Sequence, residues 1–128
     1  FLKGKNENEL AFLNRLEPEI KIFRFAKSDE SFEELSEQEQ QEEAMNLRNG
    51  FNYGKKVVTT AACDMLILDE VLGVIDEKVV APQEMQELFE NKPDDMTLIC
   101  TGRVLEDSIR PYADEIYNIA PEKIRIDE

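Results

Sequence analysis

The run Met-Leu-Ile-Leu at Met65–Leu68 constrains the fold more than any other stretch of the chain. A strand that is half exposed alternates apolar and polar residues. Four apolar residues in succession leave no side to turn to water, so the run reads as a strand covered on both faces, central in a parallel sheet. Asp69 and Glu70 follow it at once, setting two carboxylates where a buried strand emerges.

Parallel strands need crossover connections, and the flanking sequence supplies helical patterns for them. Downstream, Pro82 suits the first turn of a helix with Met85, Leu88 and Phe89 as its buried stripe, ending before Pro93. Thr97–Thr101 is the next strand and closes on Gly102 and Arg103. A short helix around Glu106–Tyr112 buries Leu105, Ile109 and Ala113, and "EIYNIAP" supplies a last strand. Upstream, two capping boxes, Ser31 with Glu34 and Ser36 with Glu39, precede one long helix. Ala44, Leu47, Phe51, Val58 and Ala61 or Ala62 lie along one side of it, and Gly50 and Gly54 are its weak points. The charge run Glu33–Glu43 is its solvated face.

Ile20–Phe25 alternates apolar and basic residues with period two, a strand with one face buried. Leu10, Leu13 and Leu16, with Phe12 beside them, suit a short helix stopped at Pro18, and "FLKG" reads as the end of a strand that begins upstream. The expectation is a single α/β domain over residues 1–128, starting inside the fold, with a parallel sheet and helices on both faces.

Composition narrows the function. A net charge of −14 opposes a broad nucleic-acid or anionic-membrane interface, but not a small anion held by a local basic cluster. With no histidine and two cysteines, Cys63 and Cys100, outside any CxxC spacing, the usual zinc site or Cys/His pair cannot be built, and both thiols read as buried. No stretch approaches the ~20 apolar residues of a membrane span, and the first residues show no signal peptide. The chain reads as cytoplasmic.

Three strands end in polar groups: Lys3, the pair Asp69 and Glu70, and Thr101 with Arg103. In open α/β sheets ligands collect at such ends. An apolar strand closing on Asp-Glu has the form of a Walker B segment, whose carboxylate holds Mg²⁺ beside nucleotide phosphates. The plainer reading is a helix cap or a solvated pair. Arg103 is likewise a nucleotide contact or a salt bridge, and Lys3, beside Gly4, a phosphate contact or a solvated lysine. The one candidate phosphate loop, "GFNYGKK" at Gly50–Lys56, has the wrong spacing, lacks a following Ser or Thr, and lies within a helical pattern.

"FLKG", the "FEE" at Phe32, "CDMLILDEV", "VIDEKVVAPQEMQELFENKP", "LICTGR" and "YADEIYNIAPEK" occur in order over the whole chain. Together they resemble the P-loop type of ATP:corrinoid adenosyltransferase, the cob(I)yrinic acid a,c-diamide adenosyltransferases. The resemblance implies a RecA-like P-loop NTPase fold and a homodimer. It implies transfer of the 5′-deoxyadenosyl group of ATP to the Co(I) of cob(I)alamin or cob(I)yrinic acid diamide, with release of triphosphate. By position, Glu70 and Asp69 would serve Mg²⁺, Arg103 would lie near ATP, and Phe32 would pack on the corrin, although a Phe before a helix is also an ordinary core residue. No catalytic side chain is singled out, since Co(I) is itself a strong nucleophile and needs chiefly orientation. The phosphate loop of the family is expected upstream of Phe1. The alternative is a non-catalytic relative that binds corrinoid or nucleotide, or acts as a partner subunit.

Overall fold

The structure, a computed structural model, describes residues 32–122, apart from the side chain of Glu33. The expected elements upstream of these residues, with Ser31 and Lys3, lie outside them.

The long helix is α1 (Glu37–Thr60). Ser36 is its N-cap: the hydroxyl accepts from the Glu39 N–H at 3.3 Å and donates to the Glu39 carboxylate at 2.7 Å. Ser36 therefore caps the helix, but the expected box is only half made, since the Glu39 carboxylate takes the Ser36 hydroxyl and not its backbone N–H. A 3-10 turn, Phe32–Glu34, leads in, and the Phe32 carbonyl accepts from the Leu35 N–H at 3.2 Å and Gln40 Nε2 at 3.0 Å. Leu47, Phe51 and Val58 form the buried stripe. Gly50 and Gly54 lie on that same buried side and do not interrupt the helix. Gly54 allows close approach to the sheet, for an added Cβ would stand 3.3 Å from Leu68 Cδ2. The segment Gly50–Lys56 is thus helical, as its pattern predicts, and no described glycine has a positive φ. Ala61 and Ala62 fall beyond the helix and are exposed. Ala61 caps it in the left-handed region at φ 51°, ψ 43°, while the N–H groups of Ala61 and Ala62 reach the carbonyls of Val58 and Val57.

Two strands, β1 (Met65–Leu68) and β2 (Thr97–Cys100), pair in parallel with Met65 opposite Thr97 and Leu68 opposite Cys100. Between them run α2 (Val71–Asp76) and α3 (Pro82–Glu90). The third helix has the predicted form, with Pro82 in its first turn, Met85 and Leu88 buried, and Phe89 against the core. The second has no sequence-based counterpart, because six residues are too few for a 3.6-residue period to declare itself.

Burial of the sheet differs from expectation. Leu66, Leu68, Leu98 and Cys100 join the core, whereas Met65 and Ile67 are more than half exposed, at 54% and 57%, and Ile99 is exposed too. The buried apolar side chains of all three helices belong to one cluster, and that cluster takes only one face of the two strands. Among the described residues, then, β1 is covered on a single face.

Two further expectations change. Glu106–Tyr112 is a pair of turns ending in a 3-10 turn, Arg110–Tyr112, and not an α-helix. Pro111 has no N–H to continue a helix, and the Ser108 N–H and hydroxyl both turn onto the Glu106 carboxylate, the former at 3.0 Å. The segment still buries Ile109 and packs Leu105 on the core. "EIYNIAP" forms no strand: no described strand lies beside it to share a ladder, and Ile116, Tyr117 and Ile119 are exposed.

Arg48 joins α1 to α3. Its guanidinium makes a two-pronged contact with the Glu84 carboxylate, Nη1 donating to Oε2 at 2.7 Å and Nη2 to Oε1, and stands 5.9 Å from the Phe51 ring centroid. Glu84 also accepts from the Ala81 N–H at 2.9 Å, satisfying one orphan donor at the start of α3. Lys92 donates to the carbonyls of Pro93 and Met96 at 2.9 and 2.8 Å, fixing the turn into β2.

Candidate functional site

Because Leu68 and Cys100 are in register, the residues after them leave the sheet side by side. The Thr101 N–H donates to the Leu68 carbonyl at 3.3 Å, and the Leu72 N–H donates to the Thr101 carbonyl at 3.2 Å, so backbone pairing continues past β2. The Thr101 hydroxyl accepts from the Glu70 N–H at 2.8 Å and donates to Asp69 Oδ1 at 3.0 Å. Glu70 itself takes a left-handed backbone, φ 60° and ψ 19°, from which α2 departs. Gly102 presses on the same turn: a Cβ there would lie 2.4 Å from Leu72 Cβ and 3.3 Å from Leu72 Cα. Only a residue without a side chain fits.

Asp69 is exposed and Glu70 half-buried. Arg103, one residue beyond Gly102, is exposed and makes no ion pair with another described residue. Two carboxylates and a hydroxyl at the carboxyl edge of a parallel sheet offer hard oxygen ligands. Among the described residues no group of three or more His, Cys, Asp or Glu is placed to hold a metal ion by itself. Such a donor set suits Mg²⁺, which is commonly held by one or two carboxylates and completed by phosphate oxygens and water. It does not suit a metal that needs a closed protein cage.

The profile of the family ATP:corrinoid adenosyltransferase BtuR/CobO/CobP matches residues 1–128. The chain belongs to this family. No curated protein and no solved structure shows a match to this chain.

As an ATP:corrinoid adenosyltransferase the chain is a transferase with ATP and a corrinoid as its substrates. No described helix is long and apolar enough to cross a membrane. Of the residues singled out in the sequence, the adenosyltransferase brings Asp69, Glu70 and Arg103 to one edge. Phe32 is elsewhere: the residue is 6% exposed and belongs to the core cluster. Burial pushes the Cys100 thiol up to about 12, which leaves it un-ionised and unreactive at neutral pH. What sequence reasoning missed is the work of Thr101. It marks a strand end in the sequence, but only the strand register shows that its hydroxyl meets residues 31 and 32 positions away.

Proposed function

We propose that this adenosyltransferase is a RecA-like, P-loop type enzyme, cytoplasmic and homodimeric, that uses Mg²⁺ and carries the 5′-deoxyadenosyl group of ATP to a Co(I) corrinoid such as cob(I)yrinic acid diamide or cob(I)alamin. The supporting observation is the cluster of Asp69, Glu70 and Thr101 at the carboxyl edge of two parallel strands. In the reaction the Co(I) electron pair forms the cobalt–carbon bond at C5′ while the C5′–oxygen bond breaks and its electrons leave on triphosphate. Side chains have three tasks here: to orient the ribose carbon, to steady the leaving group and to exclude water.

Asp69 and Glu70 would hold the Mg²⁺, directly or through water, and its charge would offset the repulsion that a chain of net charge −14 exerts on triphosphate. Arg103 is exposed on the same edge with no described ion-pair partner, which favours its use as an ATP contact. Lys3 as a second ATP contact rests on its strand-end position in the sequence. For Phe32 the corrinoid role rests on the resemblance alone, since contact would require its buried ring to be uncovered.

The test is adenosylation of reduced corrinoid by full-length protein across a Mg²⁺ titration. Glu70→Gln and Asp69→Asn should each lower turnover by about 10²-fold or more, the usual scale for losing an electrostatic stabiliser of the transition state. The Mg²⁺ dependence should weaken while the circular dichroism stays that of the parent. Unchanged rates and metal dependence in both variants would leave the pair as a strand-end cap, and no turnover by the parent would favour a non-catalytic, ligand-binding relative.

A further inference from the structure

We infer that Thr101 is a positioning residue of the adenosyltransferase, its hydroxyl aligning the Asp69 carboxylate and the Glu70 backbone for the Mg²⁺ that the reading above assigns to them, on which this inference rests. A hydroxyl has one proton to give and lone pairs to receive. Here the proton goes to Asp69 Oδ1 at 3.0 Å and a lone pair takes the Glu70 N–H at 2.8 Å, so one side chain ties down both members of the pair.

Thr101 is itself fixed. Its N–H and carbonyl are held by Leu68 and Leu72, at 3.3 and 3.2 Å, and the glycine after it is wedged against Leu72. As a β-branched residue it also has little χ1 freedom, so the hydroxyl is presented at one place. Glu70 needs that support, because a non-glycine residue at φ 60° persists only when its surroundings over-determine it. Neither contact is local in sequence, so Thr101 reports to the metal pair whether β1 and β2 are in register. A hydroxyl that merely ended a strand would need one partner, and this one binds two, both in the same candidate site.

The experiment uses full-length protein with Thr101→Val, which keeps the shape and the β-branch but removes the hydroxyl, and Thr101→Ser, which keeps the hydroxyl. Amide hydrogen exchange at Glu70 is read by NMR without ATP or metal, and the Mg²⁺ dependence of adenosylation is read separately. In the parent the Glu70 amide, held by the Thr101 hydroxyl, should be protected. Thr101→Val should lose that protection and raise the Mg²⁺ concentration for half-maximal rate about tenfold or more, the usual scale for a group that orients a metal ligand. The KM for corrinoid should be unchanged, and Thr101→Ser should restore most of both losses. An unprotected Glu70 amide in the parent overturns the inference without any variant, so a Thr101→Val protein that failed to fold would not shelter it. If Glu70→Gln and Asp69→Asn alter the Mg²⁺ dependence but Thr101→Val does not, the inference alone falls. If those carboxylate variants change nothing, the metal reading falls and takes the inference with it.

Discussion

Among the described residues three other than glycine occupy the left-handed backbone region, Ala61, Glu70 and Lys78, and the first two sit where an element must end or begin. Ala61 carries the cost of a Cβ in that region with no described polar contact from its side chain to offset it. Ala61→Gly should therefore stabilise the fold by about 0.5–1 kcal/mol, after allowance for the greater freedom of glycine in the unfolded chain, as read by urea unfolding. Gly102 is constrained the other way. Gly102→Ala meets Leu72 near its backbone, where nothing flexible can yield. We expect roughly 1–3 kcal/mol of destabilisation in the same assay, together with loss of adenosylation as the Asp69–Glu70 turn is pushed aside. At this scale the place of the carboxylate pair at a strand end was legible because both residues directly follow the apolar run. Thr101 was not, because a hydroxyl has no sequence signature and its partners come from another strand.

Among elements, the helices with enough length to show a period were readable: α1 from its stripe and the Ser36 cap, and α3 from Pro82 and its apolar spacing. Helix α2 is too short for a period, and the turns around Ser108 depend on one side chain folding back on its neighbours. The clamp between α1 and α3 yields a pH prediction. Chiefly through the Arg48 hydrogen bonds, the Glu84 carboxyl is held down at about 2, below the ordinary 4.5. A depressed carboxyl stabilises the fold fully above its unfolded value, and that contribution disappears as pH falls from 4.5 towards 2. Both side chains are partly exposed, which limits the contribution to about 1 kcal/mol. Glu84→Gln should lower stability at neutral pH by about that much and flatten the acid limb of the stability curve. Urea unfolding across that window would contradict the account if parent and variant ran parallel.

For the whole molecule, order along the chain was more informative than pattern within any segment. Strand and helix signals in alternation gave the parallel α/β arrangement that β1 and β2 show, and the succession of motifs gave the family that the profile matches. Among the described residues the sheet is covered less than the apolar run implies. An apolar run states that both sides of a strand are water-averse, but what lies on each side is set by elements distant in sequence, and the described helices pack on only one face. Charge acts at this scale as well: a net −14 repels triphosphate, and the proposed function assigns the offset to a cation at the carboxylate pair. The most direct measurement is therefore the rate at which full-length protein adenosylates reduced corrinoid, compared between the parent and Glu70→Gln across a Mg²⁺ titration. The account predicts a fall on the order of 10²-fold with a weakened metal dependence. Superimposable titrations for the two proteins would contradict it.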